Sequence, residues 1–346
     1  MHSIRESEII DYIKKQGTCS SKEIFDDLDL DISYATLKRT LSKLTSNNYI
    51  ITRGKGKGTK YLISPVYGLI QPVDLDQYYE KEIDERSIKK NFNFQIITDV
   101  LWNHNVITTY ELAKIEKLNR ILSSIVAQLS ATEYKKELKR FAIDLSWKSS
   151  QIEGNTYSLL ETEKLLNEKE TASGKTKEEA VMLLNHKEAL DFIVKNPDYL
   201  SPLSISKIKG IHSILVKELQ IDRNIRKRRI GISGTNYKPL DNKFQLTEAL
   251  ANACDVINKK ENVFEKSLLA LVLISYIQPF ADGNKRTARM VSNAILVNEN
   301  HCPLSFRTVD SIDYKKAILL FYEQNNMSSF KDIFINQFEF AVKSYF

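Results

Sequence analysis

The stretch 267–299 constrains this chain more than any other. An apolar run, 267–277, feeds into Gln278-Pro279-Phe280-Ala281-Asp282-Gly283-Asn284-Lys285-Arg286-Thr287-Ala288-Arg289, and a helical pattern, 287–299, leaves it. Leu268, Leu269, Leu271, Val272, Leu273 and Ile274 make the first segment apolar nearly all round, which predicts a central, buried helix. A helix starting near Arg286 aims unpaired backbone N–H groups at the 282–285 turn, and such an end binds anions. Gly283 lets the backbone bend and come close to a ligand. Asp282 is a hard oxygen ligand of the kind that holds Mg²⁺ beside a phosphate. Arg286 and Arg289 are three apart and share a helix face.

This stretch resembles the signature of the Fic (Fido) family, His-x-Phe-x-Asp/Glu-Gly-Asn-Gly-Arg-x-x-Arg. Phe280, Asp282, Gly283, Asn284, Arg286 and Arg289 match it. Two positions depart: Gln278 stands where the family has histidine, and Lys285 where most members have glycine, although Asn-Lys-Arg occurs in the Doc-type toxin branch. The resemblance implies AMP transfer from ATP to a protein hydroxyl, or phosphate transfer as in the Doc branch. It also implies roles. The position of Gln278 belongs to the catalytic base. Asp282 holds Mg²⁺, and Gly283, Asn284 and Lys285 form the anion hole. Arg286 and Arg289 hold the distal phosphates. An amide is not a usable base, and losing a general base costs about 10²–10⁴ in rate. The reading is therefore a nucleotide scaffold with its base removed. His212, on a separate helix, and His301, beyond the signature helix, are poor substitutes.

A second motif lies upstream. A helix over 132–153 ends in Ser149-Ser150-Gln151-Ile152-Glu153-Gly154, where Gly154 is a natural terminator. A glutamate in a last turn opposes the helix dipole, so its reason lies elsewhere. It resembles the family's inhibitory motif, Ser/Thr-x-x-x-Glu-Gly/Asn, which implies that Glu153 pairs with Arg289 and takes the γ-phosphate position. Carboxylate and phosphate compete for the same guanidinium fork.

Residues 1–65 are expected to form a winged helix-turn-helix. A helix over 8–15, one opened by the Ser20-x-x-Glu23 capping box and one capped by Ser33 are followed by strands at 49–53 and 59–63 around Gly54-Lys55-Gly56-Lys57-Gly58. Residues 1–32 carry eight acids and four bases, whereas 33–65 carry seven bases and no acid. Those bases, Lys38, Arg39, Lys43, Arg53, Lys55, Lys57 and Lys60, lie on the third helix and the wing, which would face DNA. A solvated charged face, or a winged helix used for protein contact, is the alternative.

Residues 66–90 read as a linker, marked by Pro65, Gly68 and Pro72. Capping boxes at Thr108-x-x-Glu111 and Ser130-x-x-Glu133 start long helices in a helical region over 91–200, and 201–346 form the Fic core. A basic cluster (Arg223, Arg226, Lys227, Arg228, Arg229) precedes a stretch whose glycines predict a β-hairpin over 230–239. It resembles the Fic flap, which pairs with an extended target; Gly231, Ile232, Ser233, Gly234 and Tyr237 belong to it. Tyr314 and Tyr322 lie on a helix that borders the adenine pocket in the family; packing in the core is their alternative role.

The fold expected is mainly α, a Fic-type helical domain with a small β-hairpin flap and an N-terminal winged helix. No apolar run approaches a membrane span, no secretory leader opens the chain, and Cys19, Cys254 and Cys302 stand far apart, which fits a reducing cytoplasm and argues against zinc. Three functions compete: a DNA-linked regulator that binds ATP–Mg²⁺ with weak or no transfer activity; an active AMP- or phosphotransferase restrained by Glu153; and a DNA-binding scaffold without nucleotide. The partners considered are ATP, a protein bearing a Ser, Thr or Tyr hydroxyl, DNA and a second copy of the chain as a homodimer, but no membrane.

Overall fold

A computed structural model describes residues 3–345. The N-terminal part runs α1 (Ile4–Gln16), α2 (Ser21–Asp27), α3 (Tyr34–Ser46), β1 (Ile50–Arg53) and β2 (Lys60–Ile63). Ser3, Ser20 and Ser33 cap the three helices, each side chain accepting a first-turn N–H. The strands are antiparallel, with Ile50 opposite Ile63 and Arg53 opposite Lys60. Ile9, Ile13, Leu37, Leu41, Leu44 and Ile50 close a separate small core. This is the winged helix that the charge partition and capping pattern predict.

The rest is helical: α4 (Tyr67–Ile70), α5 (Leu75–Tyr79), α6 (Leu101–Asn103), α7 (Thr109–Val126), α8 (Ala131–Ile152), α9 (Leu159–Glu168), α10 (Lys177–Lys195), α11 (Ile205–Leu215), α12 (Lys243–Lys259), α13 (Val263–Ile277), α14 (Asn284–Asn298), α15 (Ser311–Gln324) and α16 (Ser328–Ser344). The capping boxes at Thr108 and Ser130 start α7 and α8. Apolar on every side, α13 is the central helix, packed by α12, α14, α15 and α16. Ser267 ties it to α14 through Ser292 Oγ at 2.7 Å. Among the described residues no helix is long and apolar enough to cross a membrane, and the three cysteines are free and buried.

One expectation changes. The hairpin over 230–239 does not form: among the described residues the only sheet is β1–β2. The backbone that would have paired with itself pairs elsewhere. Lys238 N–H donates to the Lys90 carbonyl at 2.9 Å and Arg86 donates to the Gly234 carbonyl at 3.2 Å, while the Asn236 side-chain amide donates to the Asp84 carboxylate at 2.8 Å. The segment 66–90, read as a linker, is packed against both parts of the chain. Its α4 lies between the two cores, with Tyr67 in the small one and Leu69 and Ile70 in the large one. Downstream, Arg86 makes a buried ion pair with Glu323 of α15 at 3.0 Å, and Tyr78 donates to the same carboxylate at 2.7 Å. Residues 84–91 thus form a strap that holds the flap against α15.

Candidate functional site

The turn between α13 and α14 opens into a cleft of about 390 Å³ lined by the signature turn (Gln278, Ala281–Lys285), Ile152 and Glu153, the flap (Ile230–Ser233) and α15 (Lys315, Ile318, Leu319, Tyr322). Four segments far apart in sequence meet there. Gly283 is the N-cap of α14 at φ 78°, and no side chain caps the helix. A Cβ at Gly283 would lie 3.2 Å from Val216 and 3.4 Å from the Arg286 guanidinium, so a larger residue is both strained and crowded. The start of α14 therefore presents first-turn N–H groups to the cleft.

The turn is braced from behind. Asn284 accepts from Phe280 N–H and donates to the Phe280 carbonyl, both at 2.8 Å. His212 stacks on Phe280 at 3.7 Å and meets the Asp282 carbonyl at 3.0 Å through Nε2. Burial depresses its pKa to about 4, and it does not line the cleft. Arg226 is buried and donates to the carbonyls of Gln278, Arg228 and Leu240. It is the one member of the basic cluster that is structural, and its place within a run of bases hides this in the sequence.

Gln278 sits in the left-handed region (φ 53°) at the end of α13. Its Nε2 donates to the Ser275 carbonyl at 2.7 Å and to Tyr322 Oη at 3.0 Å, and its Oε1 accepts from Asn284 at 3.0 Å. Tyr322 itself donates to the Ser275 carbonyl at 2.8 Å. The amide is fully engaged, and no described histidine lines the cleft.

Arg286 and Arg289 are almost fully buried, and each has one Nη1 without a partner. Arg286 meets Asp282 at 3.1 Å, a carboxylate whose side chain is 67% exposed. Arg289 donates through Nε to Ser149 Oγ and through Nη2 to the Ser149 carbonyl, each at 2.8 Å, and through Nη2 to Glu153 at 2.9 Å. Lys285 lies 3.5 Å from the other Glu153 oxygen. Burial pushes the Glu153 carboxyl up, but Arg289 and then Lys285 outweigh it and hold it below the usual range. Glu153 is the C-cap of α8, and Gly154 follows at φ 100°.

Sequence reasoning overlooked two contributors. Lys315 lines the cleft on the α15 face shared with Ile318, Leu319 and Tyr322; helical spacing back from Tyr322 could have found it. His186 of α10 could not be found this way. Its Nδ1 meets the Met182 carbonyl at 3.1 Å and its Nε2 meets Ser149 Oγ at 2.8 Å. With Nδ1–H donating to that carbonyl, Nε2 accepts the Ser149 hydroxyl, which leaves Ser149 lone pairs for Arg289. Tyr314 and Tyr237, by contrast, are core residues. Tyr314 lies beneath Arg289, 5.2 Å from ring to guanidinium, and away from the cleft lining. Tyr237 stacks on Tyr276 and Tyr322, both at 5.5 Å.

Burial, and then the charge of Arg286, lower the His186 pKa from 6.5 to about 3; Arg289 lowers it further and Glu153 opposes. The unfolded chain therefore binds a proton that the folded one refuses, and this site's contribution to stability declines as pH falls below 6.5. The loss is about 2 kcal/mol by pH 5. His186→Gln, which keeps an acceptor for Ser149, should remove that share. Unfolding temperatures of the two proteins at pH 7 and pH 5 check this: an unchanged pH dependence in the variant would rule it out.

On α3, Lys43 pairs with Glu6 at 2.7 Å, and on the wing Lys60 pairs with Glu23 at 2.8 Å. Lys38, Arg39, Arg53, Lys55 and Lys57 are exposed and make no ion pair among the described residues.

Two parts of the chain match known families. Residues 202–296 match the Fic/DOC family, and residues 5–60 match the DeoR-like helix-turn-helix domain. The chain therefore carries a Fic/DOC domain behind an N-terminal DeoR-like helix-turn-helix domain. It is 26% identical over 238 residues to protein adenylyltransferase Fic of Nematostella vectensis, a match covering 64% of this chain and 51% of that protein. It is 27% identical over 175 residues to protein adenylyltransferase fic-1 of Caenorhabditis briggsae, covering 48% of this chain and 34% of that protein. The match thus spans about half or less of these relatives. Among solved structures, Fic-1 of C. elegans aligns with a TM-score of 0.59 at 19% identity, over 68% of this chain and 72% of that one. A Fic domain-containing signaling protein from Bacteroides thetaiotaomicron aligns with a TM-score of 0.54 at 20% identity, over 66% of this chain and 92% of that one. These structural likenesses establish the fold.

Proposed function

We propose that the cleft binds ATP–Mg²⁺ with weak or no transfer activity, and that the winged helix ties this nucleotide site to DNA. The observation that carries the reading is the pair of buried guanidinium groups of Arg286 and Arg289, behind the residues that line the cleft, each with an unpartnered Nη1 and each held by one carboxylate of the cleft lining, Asp282 and Glu153 respectively. Buried donors without partners are costly and call for an anion. Arg286, Arg289, Lys285 and the first-turn N–H groups suit the phosphates, and the α15 wall with Tyr322 suits the rest of the nucleotide. Asp282 suits Mg²⁺, which commonly takes one or two carboxylates and completes its shell with phosphate oxygens and water. The metal would neutralise phosphate charge. Calorimetric titration of the full chain with ATP–Mg²⁺ tests the reading; no binding, even after Glu153→Gly, would leave the scaffold alternative.

A second reading, an active AMP- or phosphotransferase held back by Glu153, is favoured by one observation: the flap presents an open wall beside Gln278, where a protein hydroxyl can approach. Transfer of α- or γ-label by the unaltered chain would support it.

For DNA, the exposed bases on α3 and the wing tip suit phosphate contact. Affinity for mixed-sequence duplex should fall with salt with a log–log slope of roughly −4, and Lys55→Ala/Lys57→Ala should reduce that slope by about two. Binding that ignores salt in anisotropy titrations would rule out phosphate contacts by these residues.

A further inference from the structure

Ser149 is buried on α8 and behaves unlike other helical hydroxyls of this chain. Thr162, Ser213 and Ser275 turn back to the carbonyl four residues earlier, at 2.8, 2.7 and 2.8 Å, the usual choice of a hydroxyl inside a helix. For Ser149 that carbonyl belongs to Leu145, and the hydroxyl does not take it. Its Oγ lies instead between His186 Nε2 and Arg289 Nε, 2.8 Å from each. Ser149, His186 and Arg289 are at most 1% exposed, so solvent does not complete these bonds.

The partners fix the direction of each bond. His186 Nδ1 faces the Met182 carbonyl, which can only accept, so Nε2 is the acceptor and the Ser149 hydroxyl donates to it. The Ser149 oxygen then accepts from Arg289 Nε–H. Arg289 Nη2 donates to the Ser149 carbonyl and to Glu153. An anion that replaces the Glu153 carboxylate removes only the last of these bonds and leaves the two to Ser149. Beyond Glu153, Asn155 donates to the Glu179 carbonyl at 2.9 Å, so α10 grips the segment on both sides of that glutamate. With no acceptor at position 186, the Ser149 hydroxyl is free to turn to Leu145, and Arg289 Nε is left buried without a partner.

We propose that His186 is a positioning residue: by accepting the Ser149 hydroxyl it holds Oγ on Arg289 Nε, and so keeps the guanidinium in the orientation in which it meets Glu153 or an anion that replaces it. This rests on the nucleotide reading of the cleft; what it adds is the residue that holds the arginine ready for the phosphates.

The test begins with the full chain without nucleotide, labelled with ¹⁵N-arginine. The Arg289 Nε–H resonance is assigned by its loss in Arg289→Lys, and its exchange with solvent is followed by NMR. His186→Asn keeps a donor for Met182 but is too short to reach Ser149, and it should speed this exchange roughly tenfold, as for one lost hydrogen bond to a charged group. His186→Gln, whose Oε1 takes the place of Nε2, should leave it within about twofold of the parent. Arg226 Nε–H, buried on the Gln278 carbonyl at 2.7 Å, is the internal control; general loosening would speed both arginines together. In a Ser149→Ala background, His186→Asn should change nothing further, because the middle of the chain of bonds is already gone. Thermal unfolding verifies that each variant is folded, and His186→Leu replaces His186→Asn if that variant is not. An Arg289 signal blind to His186→Asn, one that moves in step with Arg226, or a failure of His186→Gln to restore it overturns the proposal. ATP–Mg²⁺ titrations in the Glu153→Gly background separate the two claims. There His186→Asn should weaken binding roughly tenfold and His186→Gln should not. Binding that His186→Asn leaves unchanged sinks this proposal alone; no ATP binding by Glu153→Gly itself sinks the nucleotide reading, and the exchange rates then decide the role of His186.

Discussion

Gln278→His should turn this protein into a measurable transferase, with a gain of about 10²–10⁴ in rate over the parent chain. The argument is one of occupancy. In the parent, both ends of the Gln278 amide are used, by Ser275 and Tyr322 at one end and by Asn284 at the other. Such a group holds the turn in shape but takes no proton from a hydroxyl. An imidazole can keep one N–H donation to the Ser275 carbonyl while its other nitrogen serves as base. The left-handed backbone at this position, φ 53°, is one that histidine tolerates better than most residues. The measurement uses α-labelled and γ-labelled ATP with an acceptor protein, on Gln278→His alone and combined with Glu153→Gly. Label from the α position means AMP transfer and from the γ position phosphoryl transfer, a question that Lys285 makes worth asking because its bulk and charge enter the anion hole. If the double variant binds ATP–Mg²⁺ yet transfers neither label above the parent, the missing base is not what silences the site.

How much of this was legible beforehand depended on how local each cause is. The winged helix could be read because its causes are short-range: serine caps, glycines between two strands and a reversal of charge between residues 32 and 33. The central helix could be read because a segment apolar on all faces has only one place to go. The approach of Glu153 to Arg289, across 136 residues, was accessible only through the resemblance, since no local pattern encodes it. The flap misled for the opposite reason. Glycines at 231 and 234 make a hairpin locally reasonable, but the pairing partner lies near residue 90, and propensity cannot report a competitor so far away. Arg226 and His186 were missed on the same grounds. What sets them apart is burial and a tertiary partner, neither of which the neighbouring residues announce.

Glu153→Gly should tighten ATP–Mg²⁺ binding by about tenfold to a hundredfold. The basis is a charge-assisted contact worth about 1.5–3 kcal/mol that the phosphates must displace in the parent. The variant also makes an opposing prediction for the protein without nucleotide. Glu153 is the carboxylate that faces Arg289 and Lys285 in the cleft, at 2.9 and 3.5 Å. Removing it leaves buried positive charge uncompensated, which costs about 3–5 kcal/mol where a pair is fully buried and less here, where the Glu153 side chain retains 20% exposure. The nucleotide-free variant should therefore unfold at a lower temperature than the parent, and saturating ATP–Mg²⁺ should raise its unfolding temperature by more than it raises the parent's. Backbone disruption is a weak alternative explanation, because Glu153 is already outside the helical hydrogen-bond pattern as the C-cap of α8. Glu153→Gln separates charge from shape: it should resemble the glycine variant in ATP affinity while keeping more of the side-chain packing. Calorimetry and thermal melts on the three proteins decide the matter. Equal ATP affinity in all three would mean that Glu153 does not compete with phosphate for Arg289, and that its contact with Arg289 is structural.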